Sequence, residues 1–206
     1  MGDSSLLVEI HDRAAVVRFN RPRQRNSLSV STLQEFSNTL SGLLVRPDIQ
    51  AIILTGTGDV FASGADISEL VQLDPTAAHG FSELGQQTFQ QIADARQVTI
   101  AAINGYCMGG GLDLALACDI RVASSDAVLS HPGAKRGIIT GWGGTQRLPR
   151  LIGGHRALDL LLTARLIDSE EALQMGLINR ICDPVLTCAL QLASSAAEDD
   201  HTKQIN

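Results

Sequence analysis

No run of Lys or Arg stands out in this chain of 206 residues, and its formal net charge is −6. Nucleic-acid binding through phosphate neutralisation therefore has no footing. No uncharged stretch reaches the roughly 18 residues that a membrane span needs, so no membrane partner is expected. The polar start, Met1 to Ser5, is not a basic region followed by an apolar run. The four cysteines, Cys107, Cys118, Cys182 and Cys188, form no C-x-x-C pair and read as reduced thiols in a cytosolic setting. The five histidines are scattered, with no H-x-x-x-H or Cys/His cluster, so no metal is expected. Proline, at six, is too sparse for a fibrous or linker-like chain, and 44% apolar residues is too many for a disordered one. Aromatics are few, at 3%. The P-loop pattern is absent, Gly56-x-Gly58 and Gly109-x-Gly111 lack the third glycine of a dinucleotide fingerprint, and there is no G-x-S-x-G elbow. What remains is a cytoplasmic globular protein long enough to bury a sizeable core.

The patterning is of alternating strands and helices. Leu6–Ile10 and Ala14–Phe19 are β-prone runs that read as a hairpin. Ser29 to Val45 sets Leu33, Phe36, Leu40, Leu43 and Leu44 on one helical face. Ile49–Thr55 and Thr99–Ile103 are short apolar runs of the kind covered on both faces. Phe61 to Leu73 reads as a loop passing into a short helix, and Phe81 to Ile92 has helical spacing. Leu112 to Ala117 favours a buried helix, and Ile120–Ala123 and Ala127–Ser130 read as short strands. The last third is helical: Asp168 with Glu171 makes a capping-box-like start closed by Gly176, and Asp183-Pro184 opens the final helix. The class is α/β with a mostly parallel sheet, and no repeat or linker divides it.

Two segments carry a chemical signal. One is Phe61-Ala62-Ser63-Gly64-Ala65-Asp66-Ile67, a small-residue loop leading into a helix. The other runs from Ile100 through Asn104-Gly105 to Gly109-Gly110-Gly111-Leu112-Asp113. Glycines between a buried strand and a buried helix leave backbone N–H groups pointing into open space. Such donors can hold a developing oxyanion, and losing one in known enzymes costs on the order of 3 kcal/mol. A glycine triplet alone is as well explained by a tight turn or close helix packing.

Both segments resemble the crotonase (enoyl-CoA hydratase/isomerase) superfamily. The likeness extends to Asn20-Arg21-Pro22 with Asn26-Ser27-Leu28, to Ala117-Cys118-Asp119-Ile120-Arg121, to Gly141 through Arg150, and to Gly176-Leu177-Ile178-Asn179. These pieces fall in the family's order from about residue 6 to 192.

The resemblance implies one crotonase-like domain over 1–206. A ββα-spiral core of stacked sheets would span about 6–150, a helical part about 151–197 and a polar tail 198–206. It implies an acyl-CoA thioester substrate, no cofactor other than the coenzyme A that the substrate carries, and backbone oxyanion donors at Ala65 and Gly110. The stretch from Ala62 to Ser68, with Asp66 and Ile67, would lie along the CoA moiety. Leu28 would line the same channel, and Gly109, Gly110 and Gly133 complete the substrate-binding set. Of the family's two glutamates, the first position is Asp113, which keeps a carboxylate but is also well placed to meet a helix dipole. The second position is Gly133, in Pro132-Gly133, so that acid is missing. His131, two residues before it, is the candidate substitute, on the same face if the segment is extended. One carboxylate suffices for a proton shift, so the loss favours isomerisation over hydration. Thioester hydrolysis, C–C cleavage or an acyl-CoA-binding homologue are the alternatives. Family members continue past the point matching Asn206 with helices that cap the site and build a homo-trimer or dimer of trimers, so the C-terminal region reads as truncated.

Overall fold

A computed structural model describes residues 4–203. The residues before Ser4, and 204–206 of the expected polar tail, lie outside the described residues. Two sheets carry the architecture. The larger has the strand order β1 (Leu6–His11), β2 (Ala14–Phe19), β3 (Ala51–Gly56), β5 (Val98–Ile103), β7 (Ile120–Ala123) and β10 (Arg180–Ile181). The β1–β2 hairpin is antiparallel and every later pairing in this sheet is parallel. The smaller sheet has the order β4 (Val60–Ala62), β6 (Tyr106–Met108), β8 (Val128–Ser130) and β9 (Ile167–Asp168). The expected α/β class holds.

Strand periodicity explains the core. Ala15, Val17, Ile52, Leu54, Ala101 and Ile103 point to one face of the large sheet, joining Phe19, Leu28, Leu33, Phe36 and Phe61 in the main core. Their neighbours Ala14, Val16, Ala51, Ile53, Ile100 and Ala102 point to the other face. There α8 (Val185–Lys203) covers them with Val185, Cys188, Ala189 and Ala193. Both faces are dry, hence the near-continuous apolar runs.

The helices start where their caps dictate. The helix α1 (Val30–Leu44) is capped by Ser29, whose Oγ accepts from Thr32 N at 3.1 Å. A four-residue α2 (Ile67–Leu70) follows β4. Then α3 (Pro75–Ala93) begins six residues before the expected Phe81, because Asp74 caps it and Pro75 occupies its first turn. After β6 comes α4 (Gly110–Ala117). The last third contains α5 (Gly144–Ile152), α6 (Gly154–Thr163) and α7 (Ser169–Met175). Asp168 accepts from Glu171 N at 2.8 Å, and Gly176, at φ +77°, closes α7, as the capping pattern implies.

Three expectations need correction. Phe61 opens no loop but sits in β4. The final helix starts at Val185 rather than Pro184, and runs through Glu198 to Lys203 instead of ending at Ala197. Cys182 and Cys188 are not free thiols: their Cα atoms lie 6.4 Å apart and the structure joins them as a disulfide. The turn from β10 into α8 brings the two together across a sequence separation of 6, which no short cysteine signature marks. Cys107 and Cys118 are free and buried.

Candidate active site

The site forms where three strands of the small sheet end. β4, β6 and β8 run parallel, with Ala62 paired to Cys107 and Met108 to Ser130. Beyond those pairs the chain leaves each strand on the same side, through Ser63-Gly64-Ala65, Gly109-Gly110 and His131. The carboxyl ends of parallel strands are where open α/β sheets bind ligands.

The first two exits bring two amides together. A Cβ on Gly64, at φ +88°, would lie 2.8 Å from both Gly110 N and Met108 O, so only glycine lets the loops approach this closely. A Cβ placed on Gly110 would lie 3.5 Å from Ala65 N. Among the described residues, neither Ala65 N–H nor Gly110 N–H donates to a protein acceptor. Residues 65 and 110 are partly exposed, and Gly110 begins the eight-residue α4. These are free donors, one of them at a helix N-terminus.

Asp113 lies one turn into α4 and is 1% exposed. Thr140 Oγ1 donates to its Oδ2. His131 Nε2 lies 3.2 Å from its Oδ1, and His131 is itself 3% exposed. That approach is too oblique to count as a hydrogen bond, so Oδ1 and Nε2 are both left without one in the interior. The α5 N-terminus closes over the pair: a Cβ on Gly144 would fall 2.8 Å from Thr140 Cγ2 and 3.1 Å from His131 Nε2, and would collide with Asp113 Oδ1. The carboxylate also reaches Cys107, whose thiol is pushed well up, first by burial and then by the negative charge of Asp113.

Among the other expected binding residues, Asp66 is engaged locally. It accepts from Ser27 Oγ at 3.0 Å and from Ser68 N at 3.1 Å, capping α2. The hydrogen bond from the Ser68 side chain is the main reason its carboxyl sits below the usual range. Ser68 and Ile67 are exposed beside it, Ile67 by 41%. Leu28 and Ala62 are a correction. Both are 0% exposed, so neither side chain lines a channel; Leu28 instead donates its N–H to Gly64 O at 2.8 Å and fixes the loop that carries Ala65. Asn26 serves the same purpose, donating from Nδ2 to Val60 O at 2.6 Å.

The segment after His131 is a second correction. Pro132–Arg136 is a 3-10 turn, not an extended strand, so residues 131 and 133 do not share a face by alternation. Gly133 faces the backbone of its own turn, where a Cβ would meet Ile138 O at 2.4 Å. His131 is thus brought to Asp113 and Gly133 is not. Thr140 escaped the sequence reading because no local pattern links it to a residue 27 positions away. Trp142 was also missed, although one large aromatic between Gly141 and Gly143 is a visible oddity.

A family model described as enoyl-CoA hydratase/isomerase matches residues 9–205. The chain belongs to that family, the crotonase superfamily. Its similarity to individual enoyl-CoA hydratase/isomerase members is high. It is 40% identical to a crotonyl-CoA hydratase of Syntrophomonas wolfei over 185 residues, which cover 89% of this chain and 71% of that one. It is 39% identical to a short-chain-enoyl-CoA hydratase of Clostridium acetobutylicum over 182 residues, 88% of this chain and 70% of the other. The enoyl-CoA hydratase structure from Bacillus anthracis superposes with a TM-score of 0.91 at 35% identity, covering 94% of this chain and 77% of that one. In this chain an imidazole and a threonine hydroxyl surround Asp113, with Gly133 turned away.

Proposed function

We propose that this chain adds water across the double bond of a short 2-enoyl-CoA thioester. The observation that carries the reading is the pairing of two free amides, at Ala65 and Gly110, with a buried carboxylate one turn along the same helix. The thioester oxygen accepts from both N–H groups, and the negative charge that develops on it is held there. Asp113 takes a proton from water as the water oxygen bonds to C3. A proton is returned to C2, so the net change is one H and one OH across C2=C3. His131, against Asp113 Oδ1, supplies the second proton-bearing group that residue 133 lacks. The names of the relatives, crotonyl-CoA and short-chain-enoyl-CoA hydratases, support the substrate class. No cofactor beyond the substrate's own coenzyme A enters the scheme.

The side-chain-free Gly133 favours a second reading. A single carboxylate can move a proton from C2 to C4 while C3=C4 becomes C2=C3, which is isomerisation. Loss of enoyl absorbance with crotonyl-CoA, run beside a 3-enoyl-CoA isomerisation assay, separates the two. Turnover of crotonyl-CoA is the expected result. Retained CoA-ester binding with no hydration overturns the first reading.

The same proposal includes self-association, which the leucines exposed on and after α6, Leu158, Leu162 and Leu166, support; sedimentation equilibrium measures it. It also includes a cytoplasmic setting; among the described residues no helix is long and apolar enough to cross a membrane.

A further inference from the structure

We infer that Trp142 sets the upper limit on acyl chain length, an inference that rests on the acyl-CoA reading above. The indole, the chain's one Trp, is held on three sides. Phe81 and Phe89 meet it edge-on, with ring centroids 5.1 Å and 5.6 Å away. Between them on the same face of α3, Gly85 leaves room for the pyrrole edge: a Cβ there would lie 2.3 Å from Trp142 Nε1. The opposite edge rests on Gly110, where a Cβ would lie 2.5 Å from Cε3. Glycine at both contacts and edge-to-face stacking on both phenyl rings leave the indole, 5% exposed, no alternative place.

The ring therefore stands beside the amide that holds the carbonyl. Its own backbone continues through Gly143 to Gly144, which abuts Asp113. Residues 142–144 thus wall the space between the oxyanion donor and the carboxylate, the space in which C2 and C3 react. Trp142 also lines a cleft of about 600 Å³, together with Thr140, Ser82, Gln86, Gln90 and Arg147. On this inference the indole is the partition between that cleft and the reacting carbons. A chain growing beyond C4 meets the ring, and removing the ring joins the two spaces.

The test is kcat/KM for 2-enoyl-CoA substrates of four, six and eight carbons, in the wild type, Trp142→Ala and Trp142→Phe. One methylene in an apolar pocket changes kcat/KM by about 10-fold or more. The C8-to-C4 ratio is expected to rise by at least about 10-fold in W142A and to stay near the wild-type value in W142F. An unchanged ratio in a folded W142A overturns the inference. Independently of any variant, butyryl-, hexanoyl- and octanoyl-CoA are compared as inhibitors of the wild type. Inhibition that weakens beyond four carbons supports the partition, and inhibition that strengthens steadily with length overturns it. No wild-type turnover of any enoyl-CoA, with graded inhibitor binding intact, defeats the hydratase reading and leaves the length limit standing.

Discussion

Replacing Asp113 by Asn isolates the charge from the packing. The side chain is 1% exposed, so a change of volume would disturb the fold; Asn keeps the volume and removes only the ionisable oxygen. Its amide oxygen can still accept from Thr140, and its NH₂ can donate toward His131 if that nitrogen is unprotonated. The unfolding free energy should therefore move by no more than about 1.5 kcal/mol, the size of one exchanged hydrogen bond. Loss of a buried charge can even raise stability. The chemistry has no such substitute. General acid–base catalysis by a placed side chain is worth about 100- to 10,000-fold, or about 3 to 5 kcal/mol of barrier. Initial rates with crotonyl-CoA, beside urea unfolding of both proteins, should show kcat down by at least about 100-fold with the midpoint nearly unmoved. Because Asp113 lies outside the stretch from Ala62 to Ser68 expected to hold the CoA moiety, KM should change little. A kcat within two-fold of wild type would remove Asp113 from the mechanism, and a large drop in stability would make it a structural residue.

Gly133→Glu is expected to fail as a restoration of the second acid. Its Cβ meets Ile138 O at 2.4 Å, so the turn must shift, at about 1 to 3 kcal/mol; a lowered urea midpoint without faster hydration checks this, and a stable, faster variant refutes it. The two free thiols should be silent to alkylation at pH 8 in the native protein and react fully in denaturant. Burial pushes Cys118 up to about 12, leaving about one thiolate in 10,000 at that pH, and raises Cys107 as well. Mass spectrometry counts the adducts.

Much of the fold was legible because its signals are local. The hairpin, the face of α1, the two doubly buried strands and the Asp168–Gly176 capping of α7 each announce themselves within a dozen residues. The missed elements are short or depend on distant partners. β4 and β6 are three residues each, too few for any period to register, and they exist because each pairs in parallel with a segment tens of residues away. Cys182 and Cys188 meet only because β10 turns directly into α8. At the site, the glycine loops and Asp113 were visible as small residues next to a helix start. The surroundings of Asp113 were not. His131 was weighed for nearness to residue 133 in an extended strand, whereas parallel pairing of β6 with β8 and a 3-10 turn put it at Asp113 instead. Thr140 and Trp142 arrive from the loop before α5, and no pattern short of the tertiary fold joins them to α4.

The parallel part of the small sheet, β4, β6 and β8, has a bearing on how activity arises during folding. Its three neighbouring strands come from residues near 60, 106 and 128, and each delivers one part of the proposed chemistry just past its last hydrogen-bonded pair. No contiguous stretch of polypeptide holds both amides together with the imidazole. Catalytic competence is consequently an attribute of the completed tertiary structure, and enzymatic function and folded structure should be lost along one and the same denaturation curve.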